Sequence, residues 1–214
     1  MLENIPGILS LITALIGLLN YNKLPNYKSK LFLASIIISV ITEVVAIYFR
    51  KWTNLSNYFI YDLYTLLLFL IYYFILANLM IKYINKILSI SLICIYFTAN
   101  IFFIIKDFNK IGVEINTYVY TLSVLFFFIL STTYLIELFN SSNVINYKKS
   151  IFFWFVLGAL LFHIPFTPFM LTLRWWSLES YGKTVYWIII IMLNLVMNTC
   201  FIIGFLWTEK KYNY

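Results

Sequence analysis

Seven long, uninterrupted apolar runs dominate this chain, at 5–19, 31–49, 58–81, 87–105, 118–139, 151–173 and 185–207. A helix needs about 20 apolar residues to cross the hydrocarbon of a bilayer, so seven runs and their turns nearly use up the 214 residues. The runs do not alternate with period 2, which argues against a membrane β-barrel. Helices are then the remaining way to satisfy backbone polar groups in lipid. The composition agrees: 63% of residues are hydrophobic and 11% charged, where soluble domains have about 45–50% and 25%. The expected fold is all-α, one polytopic bundle of seven transmembrane helices over 1–214. The first run is the shortest and is expected to stay as a helix, because the start lacks the basic segment and cleavage site of a signal peptide.

The formal charge of +7 suggests nucleic acid only if the basic residues form one face. Here they lie in pairs between apolar runs, the pattern of loops held against anionic headgroups. Membrane lipids are therefore the expected partners, and nucleic acid is not. With the amino terminus outside, Lys23, Lys28, Lys30, Lys82, Lys86, Lys148, Lys149, Lys210 and Lys211 are cytoplasmic. Arg50, Lys51, Lys106, Lys110, Arg174 and Lys183 are then outside. Nine of the 15 basic residues inside favour this orientation, with a cytoplasmic carboxyl terminus. Trp52, Trp175, Trp176 and Trp187 would form the outer aromatic belt, and Trp154 and Trp207 the inner one.

Ionisable groups within spans are costly and mark functional hypotheses. Glu43, Asp62 and His163 stand out. At 1.5 Å per residue, Glu43 lies roughly 9 Å and Asp62 roughly 6 Å below the outer surface. Asn100 and His163 fall roughly 8 Å and 15 Å from the outer ends of their runs, with Thr121 at a comparable level. Glu43, Asp62, Asn100 and His163 are thus expected to form an outward-facing pocket for ligand binding or proton sensing, with interhelical hydrogen bonding as the alternative role. Asn194 and Asn198 share one helix face and are expected to make interhelical polar contacts, as is Thr121. Glu137 is expected to snorkel or to pair with Lys148 or Lys149. Pro165 and Pro168 remove backbone donors beside the only histidine, and are read as a hinge.

Several chemistries leave marks that are missing here. A retinal protein needs a lysine in its last helix, and 185–207 has none. A zinc amidase needs several histidines, and the chain has one. Ser150 and Ser177 lie at loop edges rather than beside His163 in a helix. Cys94 and Cys200 lie in apolar runs without ligand spacing. No Walker loop or dinucleotide fingerprint occurs. The expectation is no catalytic residue, no metal and no cofactor, although a carboxylate pair could serve an intramembrane hydrolase.

The stretches NYFIYDLYTLLLFLIYYFIL and KSIFFWFVLGALLFHIPF resemble a broad group of uncharacterised small heptahelical membrane proteins from AT-rich bacterial genomes. The group is similar to seven-helix sensing units joined to some bacterial histidine kinases. The resemblance implies a multi-pass protein of the bacterial inner (cytoplasmic) membrane. Nothing but Tyr212, Asn213 and Tyr214 follows Lys211, so an output domain is not expected on this chain. Sensing would then run through a homo-oligomer or a membrane or cytoplasmic partner. A non-enzymatic sensor or signal-transmitting module is the first functional expectation. An oligomeric pore or membrane-perturbing effector, for example in phage defence, is the second. A small-solute transporter is the third.

Overall fold

The computed structural model describes residues 4–24, 26–54, 56–106, 116–172 and 180–209. They form seven α-helices: α1 Ile5–Leu19, α2 Tyr27–Thr53, α3 Tyr58–Leu79, α4 Tyr83–Lys106, α5 Thr117–Phe139, α6 Ile151–Leu171 and α7 Ser180–Trp207. Short 3-10 turns cover Tyr21–Lys23 and Ser142–Lys149. Pro25, Lys110, Arg174, Trp175, Trp176, Ser177, Lys210 and Lys211 lie outside the described residues.

Six of the seven expected spans are long and apolar enough to cross a membrane. The exception is α1, whose 15 residues reach about 22 Å against a hydrocarbon core of about 30 Å. The polarity of its faces is inverted relative to a soluble amphipathic helix. Ser10, Thr13, Ala14 and Gly17 are buried, whereas Ile8, Leu11, Ile12, Leu15 and Leu18 are exposed. That inversion suits a helix whose solvent on one side is lipid.

Most helices run past their apolar runs, because the backbone stays helical where charged side chains take over at the interface. The Asn26 side chain caps α2 by accepting from the Ser29 N–H, and Ser29 returns the bond. At the other end Asn54 takes the left-handed conformation, φ 55°, which asparagine tolerates better than most residues. Arg50 and Lys51 thereby occupy the last turn of α2, where cations favour the helix dipole. Asn116 caps α5 by accepting from the Val119 N–H at 3.1 Å.

The short gap between the third and fourth apolar runs, 82–86, is mostly helix rather than loop. Glu137, from the last turn of α5, accepts from the Ile81 N–H at 2.6 Å, the Lys82 N–H at 3.1 Å and the Asn85 side-chain amide. A carboxylate facing three donors at a helix start satisfies orphan N–H groups and the dipole together, so α4 begins at Tyr83. Glu137 is 7% exposed. It bonds this start rather than Lys148 or Lys149, and Lys149 pairs with Glu209 at 2.8 Å.

Among the described residues, α1, α2, α3, α5, α6 and α7 pack in a closed ring. On its outer side α4 packs against α3 and α5, with the Tyr73 and Tyr96 rings edge-on at 5.3 Å. The closest pair is α6 with α7. A Cβ on Gly158 would fall 2.9 Å from the Cβ of Cys200 and 3.0 Å from the carbonyl of Met197. Gly204 returns the approach against Trp154. Small residues let helices approach in this way where hydrophobic driving force is absent. Trp154 and Trp207 meet edge-on at 5.8 Å at one end of the bundle, and exposed Trp52 stands at the other.

Candidate functional site: a polar tract inside the ring

Glu43 is half-buried on α2, and its carboxylate accepts a hydrogen bond from the Tyr61 hydroxyl of α3 at 3.1 Å. Gly7 of α1 lies against it, leaving room for no more than an ordinary contact at 3.6 Å. Residues four apart share a helix face, so Ser39 and Ser35 continue below Glu43 along α2. Tyr61, Tyr64, Leu68 and Tyr72 do the same on α3, at spacings of three, four and four. Tyr64 lines the same cavity as Ser39. Tyr72 lines it beside Ser35, whose hydroxyl donates to the Phe32 carbonyl at 2.7 Å.

These rows meet α1 and α7 around a small cavity lined by Ser10, Ser35, Ser39, Tyr64, Tyr72 and Asn198, among others. On its far side the Thr13 hydroxyl sits 2.7 Å from Oδ1 of Asn198. The tract then stops. Phe32 packs tilted against Phe155 at 4.8 Å, edge-on to Phe201 at 4.9 Å and stacked on Phe205 at 5.5 Å, and all four rings are buried. A polar tract that starts at Glu43 is therefore blind, closed by aromatic packing toward the opposite end.

A second polar pair lies to one side. The Tyr120 hydroxyl of α5 meets Nδ1 of His163 on α6 at 2.9 Å. The imidazole is 4% exposed and packed against Phe69 at 4.9 Å and Phe162 at 5.0 Å. Its Nε2 has no partner among the described residues. The Tyr72 ring stands edge-on to the imidazole at 6.3 Å, which places this pair beside the tract.

The residues expected to form one pocket each have their own partner. Glu43 bonds Tyr61 across α2 and α3. Asp62 accepts from the Asn116 N–H at the start of α5, at 3.2 Å. Tyr61 and Asp62 are neighbours in sequence and so about 100° apart around α3, which turns them toward different helices. Asn100 bonds back to the Tyr96 carbonyl of its own helix at 2.8 Å, and Thr121 to that of Thr117. Of the two helix-seven amides, Asn198 reaches α1 while Asn194 donates to the Ile190 carbonyl. α6 stays helical through Pro165 and Pro168, which both lie on its exposed side.

The serines and tyrosines of the tract were not singled out from the sequence, although their spacing carried a signal. Ser35, Ser39 and Glu43 are a four-residue polar ladder within an apolar run. Chemically the tract offers one carboxylate and a row of hydroxyls that both donate and accept. Among the described residues no three His, Cys, Asp or Glu side chains gather as metal ligands.

By helix length and hydropathy this is a multi-pass membrane protein. Matched against protein-family models, curated proteins and solved structures, it finds no match, and no family is identified.

Proposed function

We propose that this chain is a non-enzymatic membrane sensor or signal-transmitting module that acts through a partner protein or a second copy of itself. The observation that carries this reading is the blind polar tract. It has a carboxylate–hydroxyl pair, Glu43 with Tyr61, toward one end, and the Phe32 cluster closes the other. A conduit would need an open path, whereas a blind site can register occupancy or protonation and pass it on by helix displacement. In this reading the Glu43 end faces outward, the lysine-rich end lies in the cytoplasm, and α1 completes a seven-pass topology in a bacterial inner membrane. Asp62, Asn100 and His163 lie toward the same end, and Pro165 and Pro168 let α6 bend in response.

The test is photo-crosslinking in native membranes from positions near Lys148, at the lysine-rich end. A sensor of this kind yields a defined adduct, to another protein or a second copy, whose yield changes severalfold in Glu43→Gln while the unfolding midpoint does not. A variant that is folded and crosslinks as the parent does would reduce the tract to a structural role.

A second reading, an oligomeric pore, draws on α4. Ser91, Cys94 and Thr98 recur at helical spacing on its exposed side, where a symmetry axis would want them. The Thr98 hydroxyl is bonded to its own helix, which leaves this stripe weakly polar and favours the first reading. Ion flux from liposomes separates the two.

A further inference from the structure

The cavity among α1, α2, α3 and α7 offers about 20 Å³ to a water-sized occupant. One water needs at least ~10–15 Å³ on that measure, while pockets for organic ligands run from about 300 Å³. The cavity is therefore sized for a single small molecule. Each of the four helices contributes a polar residue to its lining, Ser10 from α1, Ser35 and Ser39 from α2, Tyr64 and Tyr72 from α3, and Asn198 from α7, beside apolar side chains such as Leu68 and Met197.

The hydrogen-bond inventory leaves capacity pointing at such an occupant. Ser10 is buried, at 6% exposure, and makes no hydrogen bond with a described residue. Asn198 uses one amide hydrogen on the Asn194 carbonyl and keeps the second. Tyr64 and Tyr72 line the cavity as well, and a tyrosine hydroxyl both donates and accepts. Buried polar groups in native proteins find partners, and ordered water supplies them where protein does not.

We propose that this cavity is a binding site for one ordered water molecule, which ties α1 and α7 to α2 and α3. The water accepts from the Asn198 amide and donates to the Tyr64 and Tyr72 hydroxyls, with Ser10 as its further partner. It thereby joins Ser10 and Asn198, on the α1 and α7 side of the cavity, to the hydroxyls on the α2 and α3 side. The chemistry selects water over a metal cation of similar size. Among the described residues no carboxylate lines the cavity, so no anion in contact with a cation there would offset its charge. The site is independent of what the chain signals.

Infrared spectroscopy of the reconstituted protein in hydrated films, compared between D2O and D2 18O, tests this. Serine and tyrosine O–D stretches keep their covalent oxygen, so only water bands move with 18O. The difference spectrum of parent minus Ser39→Val, which fills the cavity, is expected to contain one 18O-sensitive O–D band. The same band should be lost or shifted in Ser10→Ala, a smaller change that stands in if Ser39→Val fails to fold. The unfolding midpoint of the parent should be the same in sodium and choline chloride. Difference spectra with no 18O-sensitive band would overturn the proposal. So would a sodium-dependent rise in midpoint that Ser39→Val removes, since that would assign the cavity to a cation.

Discussion

At the scale of single residues, the polar groups inside this bundle divide by where their partners lie. Glu137 works between elements, holding the start of α4 from the end of α5. Its replacement by alanine strands two backbone N–H groups and an amide, which water reaches only in part. The expected loss is about 1–3 kcal/mol of stability, measured by denaturant unfolding in detergent. Glu137→Gln keeps an acceptor and should recover part of that loss. Tyr120 and His163 are joined across α5 and α6 in an aromatic shell. Tyr120→Phe leaves both imidazole nitrogens without partners, and His163→Phe leaves the tyrosine hydroxyl without one. The double variant should therefore cost less than the sum of the singles, with a coupling energy of about 1 kcal/mol, in the range of interhelical bonds in membranes. A coupling near zero would mean that the 2.9 Å contact contributes nothing.

At the scale of elements, helix approach is set by glycines whose neighbours differ. At Gly158 an added methyl meets the backbone carbonyl of Met197 at 3.0 Å, an atom that cannot swing away. Gly158→Ala is expected to push α6 from α7 and cost about 1–3 kcal/mol. At Gly7 the same methyl finds only ordinary contact with Glu43, at 3.6 Å. Gly7→Ala is expected to be neutral or to stabilise by up to ~1 kcal/mol through helix propensity. Thermal unfolding of the two variants side by side checks the contrast, and equal effects would contradict it. The helices themselves were readable from the apolar runs, since lipid demands continuous helix. Their ends were less so. α2 extends through Lys28, Lys30, Arg50 and Lys51, and α4 begins before Lys86, because capping rather than hydropathy decides where a helix stops.

At the scale of the whole molecule, the Tyr21–Lys23 turn and Asn57 at the start of α3 lie at opposite ends of α2. Single cysteines placed there, after replacement of Cys94 and Cys200, should label from opposite sides of sealed vesicles. Labelling of both from one side would show that α2 does not cross. The blind tract predicts that the monomer in liposomes passes no ions, and a steady leak from monomeric particles would contradict the closure by Phe32, Phe155, Phe201 and Phe205.

The apolar runs by themselves determined that this is a helical membrane protein, and roughly where its long helices lie, because hydrocarbon leaves the backbone no other economical arrangement. They also marked Glu43, Asp62 and His163 as expensive and therefore notable. Only the tertiary structure decided what each of them faces. A helix turns 100° per residue, so adjacent Tyr61 and Asp62 look toward α2 and α5 respectively, and depth alone could not separate them. The tract of serines and tyrosines likewise depends on α1, α2, α3 and α7 sharing one interior. Each hydroxyl is unremarkable in its own helix, and the four rows become a site only where ring closure brings them together.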